Sequence, residues 1–382
     1  MAGQIIKRGD KTWLVRIFTG RDAQGRRSYL NKTIKGNKKD AETYLSKTLA
    51  AISTDTFIEL STLTFGEYLD KWLETAARPR LSERGFAAYS IALNLYVRPV
   101  LGNKRISEIR AQDIQSLYAD MQERGLAAST VHHAHTPLSS AFKQAVKWRM
   151  VAQDPTSLVE LPRIRQKEMR AFSPKEAASF LASAAQDRWA VLFTLALTTG
   201  MRPEEYFGLQ WKDIDLEHGV LTVQRSLIWK SNKSGDWYFG ELKTTRSRRS
   251  IPLPASLVRS LAEHKRHQAE QRLKAGPAYQ NLDLVFASAT GTPLIRLDIT
   301  RRHFKPILKR AGLTESFRLY DLRHSCATLL LAANEHPKVV SERLGHASVT
   351  LTLDTYSHVL PTMQQAASDK LENMLFSQVG TL

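Results

Sequence analysis

Cysteine is almost absent from this 382-residue chain, where Cys326 stands alone. A single thiol excludes an intramolecular disulfide framework and any cysteine-based zinc cluster. The sequence has no run of about 18 uncharged apolar residues, which argues against a membrane-spanning helix. Its opening Met-Ala-Gly-Gln-Ile-Ile-Lys-Arg lacks the apolar core of a secretory signal. Internal repeats and low-complexity segments are missing as well. Acid is in short supply: Asp and Glu number 37 against 55 Lys and Arg, a formal charge of +18. Hydrophobic residues make up 42% of the chain, enough to bury real cores, so wholesale disorder is excluded. At roughly 150 residues per domain, two or three domains are expected. These features describe a soluble, cytosolic, multidomain protein with a strong positive field. Such a field favours polyanions, and nucleic acid leads. A membrane surface is the weaker candidate, because no long basic amphipathic helix stands out.

Residues 1 to about 60 read as a small basic α+β module. The segment Thr12-Trp13-Leu14-Val15-Arg16-Ile17-Phe18 is rich in aromatic and β-branched residues and predicts a strand. Arg21-Asp22-Ala23-Gln24-Gly25 predicts a turn, 26–34 a returning strand with Tyr29, Asn31 and Thr33 on one face, and 41–52 a helix. Lys and Arg number 12 against 6 acids in this segment. Two readings stand level: a solvated basic surface, or a β-ribbon laid in a DNA groove with side chains on phosphates.

Residues 61–165 read as almost wholly helical, a compact four-helix unit. Phe65, Tyr68, Leu69, Trp72 and Leu73 follow helical spacing, as do Ile114, Leu117, Tyr118 and Met121. Gly125 ends the latter helix, and Ser129 is the expected cap of the next. The proline-bounded, basic stretch Leu161-Pro162-Arg163-Ile164-Arg165-Gln166-Lys167 predicts an exposed linker able to cross a phosphate backbone. Beyond it lies a larger mixed domain. Ser173-Pro174-Lys175-Glu176 is a helix start with serine cap, proline at the first position and glutamate three after the cap. Residues 190–199 predict a buried helix; 220–223 and 249–251 predict short strands, with 284–286 as an edge piece.

Four clusters in this last domain carry chemistry. In Thr199-Gly200-Met201-Arg202-Pro203-Glu204-Glu205, an arginine follows the end of a buried helix, with Glu205 three residues on to buttress it. Taken alone, that pair is more often an ordinary surface ion pair. The dense basic run Lys243-Thr244-Thr245-Arg246-Ser247-Arg248-Arg249 suggests a β-hairpin tip on DNA, against a solvated loop. Tyr320-Asp321-Leu322-Arg323-His324 sets a phenol and an imidazole beside an arginine on one helical face. Leu344-Gly345-His346 is followed, ten residues after the histidine, by Tyr356. Lone histidines and tyrosines are usually structural, so each cluster by itself is weak.

In order and spacing, the clusters together resemble the tyrosine recombinase (phage integrase) family. That family's pattern runs Thr-Gly-x-Arg-x-x-Glu, Lys-Thr on a β-hairpin, His-x-x-Arg-His, Leu-Gly-His, and a tyrosine about ten residues later. Residues 64–160 resemble its helical core-binding domain, and 1–56 the arm-binding module of lambda-type integrases. The resemblance implies a fold of three parts: a small α+β module at 1–58 (three-stranded sheet plus helix), an all-α core-binding domain at 62–162, and a mainly α, mixed α+β catalytic domain at 163–382. It implies a site-specific DNA recombinase that integrates or excises a prophage or other mobile element. Tyr356 would be the nucleophile, Arg202 and Arg323 the phosphate clamp, Lys243 the general acid, and His346 a positioning or proton-transfer group. Glu205 would support the site and His324 would be structural. Tyr320 departs from the family's histidine. A tyrosine can donate a hydrogen bond to a phosphate oxygen but is no imidazole base near neutral pH, which leaves the general base open. DNA contacts are expected from Arg16, Arg26, Arg27, Lys32, Arg163, Arg165, Lys167, Arg246, Arg248 and Arg249. The implied partners are double-stranded DNA with core and arm-type sites, a homotetramer on DNA, and accessory DNA-bending and excision proteins, but no membrane. The implied location is the cytoplasm of a bacterial host, at the nucleoid.

Tyrosine-mediated transfer exchanges one phosphoester for another, so resealing needs no cofactor. Two arginines can stabilise the added transition-state charge without metal, and no carboxylate triad for a two-metal nuclease is evident. His132-His133-Ala134-His135 points to different helix faces, so a metal site there is not expected. His264 and His267 flank Lys265-Arg266 on what reads as a solvated or DNA-facing helix, and Cys326 reads as core. Leu371, Met374, Leu375 and Phe376 suggest a terminal helix docking on a neighbouring protomer, or packed on its own domain. Two alternatives stand beside the recombinase: a DNA-binding regulator without cleavage, and a type IB-like topoisomerase.

Overall fold

Along residues 13–18, Trp13, Val15 and Ile17 turn one way and Leu14, Arg16 and Phe18 the other, and this alternation builds the first module. The computed structural model describes residues 3–21, 25–53, 62–164, 169–229, 235–242, 248–356 and 361–376, with backbone only at 19, 21, 51–53, 356, 361–367 and 370. Three antiparallel strands, β1 (Gly3–Gly9), β2 (Thr12–Arg21) and β3 (Arg27–Lys35), form a sheet with β2 central. Helix α1 (Lys38–Ser53) covers one face, where Val15 and Ile17 are fully buried against Tyr44, Leu45 and Leu49. Strand β1 supplies the third strand that the family resemblance implied, though no residues were assigned to it, and α1 starts three residues before the expected 41. Asp40 and Asn37 explain the earlier start, since each side chain accepts from the other's backbone N–H.

The register divides three of the four expected DNA contacts of this module; Arg26, exposed, precedes the paired strand. Arg16 faces Asn31, and Phe18 faces Tyr29, on the open side of the sheet. Lys32 faces Val15 and therefore lies on the helix-covered side. A single sheet face cannot present both Arg16 and Lys32. Arg27, two residues before Tyr29 on the same strand, shares the open face with Arg16, whose guanidinium sits 4.1 Å from the Tyr29 ring centroid.

Four long helices follow. Helix α2 (Phe65–Trp72), begun by a Thr64/Glu67 capping box, runs on through a π-helical turn to Ala77. Helix α3 (Glu83–Ala92) continues the same way into α4 (Arg98–Leu101). Helices α5 (Ala111–Glu123) and α6 (Ala128–Lys147) complete the bundle, with Tyr68, Trp72, Leu93, Tyr118 and Phe142 in its core. Gly125, at φ +78°, follows the end of α5. Ser129 is not the cap of α6: Ala127 takes that position without a side-chain bond, and Ser129 lies inside the first turn. His135 bonds Tyr118 and His132 bonds the Pro162 carbonyl, so both have partners within the bundle.

The chain separates into two compact units, Met1–Gln166 and Lys167–Leu382. The second opens with α7 (Pro174–Ala184), whose Ser173/Glu176 capping box forms as its sequence predicts. Helix α8 (Ala190–Thr199) is apolar all round and crosses the core; α9 (Pro203–Phe207) follows at once. Strands β4 (Ile214–Asp215), β5 (Val220–Val223), β6 (Arg225–Trp229), β7 (Trp237–Glu241) and β8 (Arg249–Pro252) form two antiparallel sheets, ordered β4-β5-β8 and β6-β7. Strands β7 and β8 thus belong to different sheets, and residues 243–247 of the basic run between them, where a hairpin tip was expected, lie outside the described residues. Residues 284–286 form no strand: Leu284 makes one isolated bridge to Gln210, and Val285 and Phe286 are fully buried rather than at an edge.

Helix α10 (Ala255–Ala275) leads to α11 (Arg296–Ile299) and α12 (Lys305–Arg310), then α13 (Asp321–Ala332), α14 (Pro337–Leu344), α15 (Val349–Tyr356) and α16 (Pro361–Phe376). His264 on α10 is not solvated. It bonds the Val285 carbonyl at 2.8 Å and packs on Phe286, and burial lowers its pKa. On α16, Leu371, Met374, Leu375 and Phe376 are 56–74% exposed, which excludes their packing into the domain core. Among the described residues, no helix is long and apolar enough to cross a membrane, and no group of three or more His, Cys, Asp or Glu is placed to hold a metal ion.

Candidate active site

The site begins where α8 stops. Its C-cap is Gly200, at φ +65°, a conformation that favours glycine. A Cβ there would lie 2.5 Å from Leu344 and 3.2 Å from the Cys326 sulfur. This close approach seats α8 against α13 and α14. The turn also aims the Gly200 carbonyl at Arg323, whose Nη1 donates to it at 2.8 Å. Arg343 on α14 secures the same corner by donating to the Thr198 carbonyl at 3.0 Å.

Arg323 lies in the first turn of α13 and is only 1% exposed. Its Nη2 is buried without a hydrogen-bond partner. Burial, with Arg202 adding repulsion, pushes its pKa down to about 10. A buried guanidinium with an unanswered donor beside a second cation is costly to folding and suited to an anion.

Arg202 is extended, at φ −70° and ψ 150°, and caps α9 rather than lying within it. Its backbone N–H donates to Glu205 Oε2 at 2.9 Å and its Nη1 to Oε1 at 2.8 Å. The Tyr320 hydroxyl adds a favourable electrostatic interaction with the Arg202 side chain. Burial opposes its charge, but Glu205 and Tyr320 outweigh that and hold its pKa above the ordinary value. Tyr320 stands at the start of α13, its ring 5.2 Å from that of His324. His324 is 9% exposed, and burial pushes its pKa down to about 4.

Glu205 is 2% exposed, and its second partner is the main correction to the sequence reading. Arg249 was expected on DNA. Its side chain is instead 6% exposed, with Nη2 donating to Glu205 Oε2 at 2.8 Å and Nε to the Arg343 carbonyl at 2.7 Å. Burial alone would raise the Glu205 carboxyl, yet Arg249 and Arg202 together hold it below the usual carboxylate range. Arg202, Arg249 and Arg323 against Glu205 leave a net charge of +2 in a largely buried cluster.

His346 follows the C-cap Gly345 of α14, and its Nδ1 lies 2.7 Å from the hydroxyl of Thr352, a fully buried residue of α15. Burial, reinforced by Arg323, Arg202 and Arg249, pushes its pKa down to about 4, so the ring is neutral at pH 7. Thr352 precedes Tyr356 by one helical turn, and Tyr356 is the last residue of α15. Exposed Arg248 lines a cavity of about 290 Å³ beside His346. Arg163 is exposed as well.

The structure thus brings together Arg202, Glu205, Tyr320, Arg323, His324 and His346, from segments up to 144 residues apart in sequence. Lys243, Arg246, Arg165 and Lys167 lie outside the described residues, as does the side chain of Tyr356. Sequence reasoning missed Thr352, Arg343 and the buried position of Arg249. The basic run hid the last, because nothing local marks which of its arginines turns inward.

A fold that gathers three arginines, one carboxylate and a neutral histidine, with a tyrosine at the end of the next helix, matches known proteins. Residues 163–363 match the phage integrase family, and 64–122 its N-terminal SAM-like domain. The chain belongs to the phage integrase family, the tyrosine recombinases. It is 29% identical to a XerC-like tyrosine recombinase of Caldanaerobacter subterraneus subsp. tengcongensis, across 97% of this chain and 98% of that one. Its fold is similar to that of the Tn1549 transposon integrase, solved in complex with a circular intermediate DNA (TM-score 0.68, 20% identity, 81% of this chain and 100% of that one). A lambda integrase tetramer bound to a Holliday junction is similar too (TM-score 0.57, 17% identity, 92% and 94%).

Proposed function

We propose that this recombinase cuts DNA through Tyr356, holds the cut end as a 3′-phosphotyrosine, and exchanges strands through a Holliday junction within a tetramer on two duplexes. The observation that carries the reading is Arg323: a buried guanidinium, fixed by the Gly200 carbonyl, with one nitrogen left without a partner beside Arg202. A scissile phosphate supplies the missing acceptor. Attack adds negative charge to the non-bridging oxygens, and the cluster's net +2 offsets it. The Tyr356 oxygen bonds phosphorus as its phenol proton passes to the neutral His346 imidazole; the 5′-oxygen leaves and takes a proton from Lys243. Thr352 sets His346 for this transfer, and Tyr320 donates a hydrogen bond to a phosphate oxygen from the Arg202 side.

Residues 62–162 and 163–382 would grip the core site, and 1–58 a separate arm site, with the open sheet face bearing Arg16 and Arg27 on the DNA. The exposed apolar side chains of α16 would meet a neighbouring protomer. Accessory bending and excision proteins would bias direction, and the reaction would take place at the bacterial nucleoid.

A nicked attachment site, which releases the short downstream strand on cleavage, should trap a covalent protein–DNA adduct. Tyr356→Phe should abolish the adduct and leave DNA binding. An adduct that survives this change contradicts the assignment. Removing residues 1–56 should spare core-site cleavage and cripple integration; intact integration would dismiss the arm-site role.

A further inference from the structure

We propose that Arg249 is a positioning residue, which fixes Glu205 so that Arg202 can face the phosphate and which ties the separate pieces of the active site into one unit. The inference rests on the cleavage reaction proposed above. It replaces the reading of Arg249 as a DNA contact.

One guanidinium touches three structural pieces. Its Nη2 and Nη1 reach both carboxylate oxygens of Glu205, at 2.8 and 3.3 Å, and so hold the residue that in turn grips Arg202. Its Nε donates to the carbonyl of Arg343, three residues before His346. Its own backbone opens β8, which directly follows the run containing Lys243. The carboxylate that grips the clamp arginine and the helix end that carries the histidine connect through this side chain. Gly345 marks how tight the fit is, since a Cβ there would lie 3.0 Å from Arg249 Nη1. Only the planar five-donor fork of arginine serves Glu205 and a carbonyl at once; lysine offers a point charge on a flexible stem.

Competition between acceptors gives the physical reason for the arrangement. Arg202 donates to Glu205 through Nη1 and through its backbone. A Glu205 with no other cation would draw the whole Arg202 guanidinium to itself and away from the incoming phosphate. Arg249 divides the carboxylate's demand. It also restores the positive balance: without it the cluster falls from +2 to +1. Displacement of a reacting contact by about 1 Å can cost about 100-fold in rate.

The test uses the full-length protein and the nicked attachment site, with and without sulfur in place of the bridging 5′-oxygen. A sulfur leaving group departs as a thiolate and needs no proton, so it removes dependence on Lys243 alone. Wild-type adduct formation tests the cleavage reaction itself; the variants test Arg249. Arg249→Met should lower the adduct rate about 100-fold with DNA affinity changed less than about threefold, and sulfur should restore little. Lys243→Ala, by contrast, should be rescued. Arg249→Lys should recover only part of the rate. Adding Glu205→Gln to Arg249→Met should cost far less than it costs the wild type, because the pair acts as a unit. Should Arg249→Met fail to fold, Arg249→Lys bears the same test. Wild-type cleavage by the variants, full rescue by sulfur, or loss of affinity in parallel with loss of rate would each overturn the proposal.

Discussion

Replacing Arg323 by methionine should make the protein more stable and inactive at once. Methionine keeps the length and apolar stem of the side chain and removes its charge. In the folded protein, burial and Arg202 push Arg323 well below the ordinary arginine value, down to about 10. At about 1.4 kcal/mol per tenfold change, the charged form is strained by about 3 kcal/mol at neutral pH. Removing the charge relieves that strain. It also strips the Gly200 carbonyl of its 2.8 Å donor, which costs about 1–2 kcal/mol. The net gain is about 1–2 kcal/mol, or roughly 3–6 °C for a unit of this size. Cleavage should fall at least about 100-fold, the usual cost of losing one preorganised donor to a developing oxyanion. Scanning calorimetry reads the first effect and the nicked-site adduct assay the second. A variant that is both less stable and inactive would mean Arg323 is a structural brace, not a strained phosphate ligand.

Three further perturbations follow from the same geometry. Gly200→Ala places a Cβ 2.5 Å from Leu344 at positive φ; it should destabilise by about 2 kcal/mol or more and slow cleavage by shifting the carbonyl that aims Arg323, and a neutral result in both assays would remove that link. Folded His324 and His346 resist protonation down to about 4, whereas the unfolded chain takes protons from about pH 6.5 downward. Unfolding therefore binds protons in that window and stability should drop as pH falls through it; the loss should shrink in His324→Gln, and a melting temperature flat from pH 7 to about 4 would contradict both assignments. Tyr320→His should retain or raise cleavage if position 320 only donates a hydrogen bond to phosphate, and severe loss would give the phenol a specific role.

Local chemistry made much of this molecule legible. The Ser173/Glu176 cap, the apolar run of α8 and its glycine stop announce themselves within a few residues. Arg202, Arg323, His346 and Tyr356 pointed to the candidate site only through their shared order and spacing, which resemble the family's pattern; each cluster alone was weak. Features decided by distant partners stayed hidden. Arg249 looks like Arg248, and only the strand register, which turns one into the core beside Glu205 and the other to solvent, separates them. Arg16 and Lys32 both read as basic strand residues; the pairing of β2 with β3 puts them on opposite faces. Residues 284–286 carry strand-forming side chains, yet the core claims them before any partner strand does.

Cleavage as proposed joins the DNA to a single phenol oxygen. Protease digestion of the trapped adduct, followed by mass spectrometry of the nucleotide-bearing peptide, identifies the residue that carries it. A 3′-phosphonucleotide should be found on Tyr356 and on no other side chain. Attachment at Tyr320, at a serine, or at no residue would contradict the proposed cleavage.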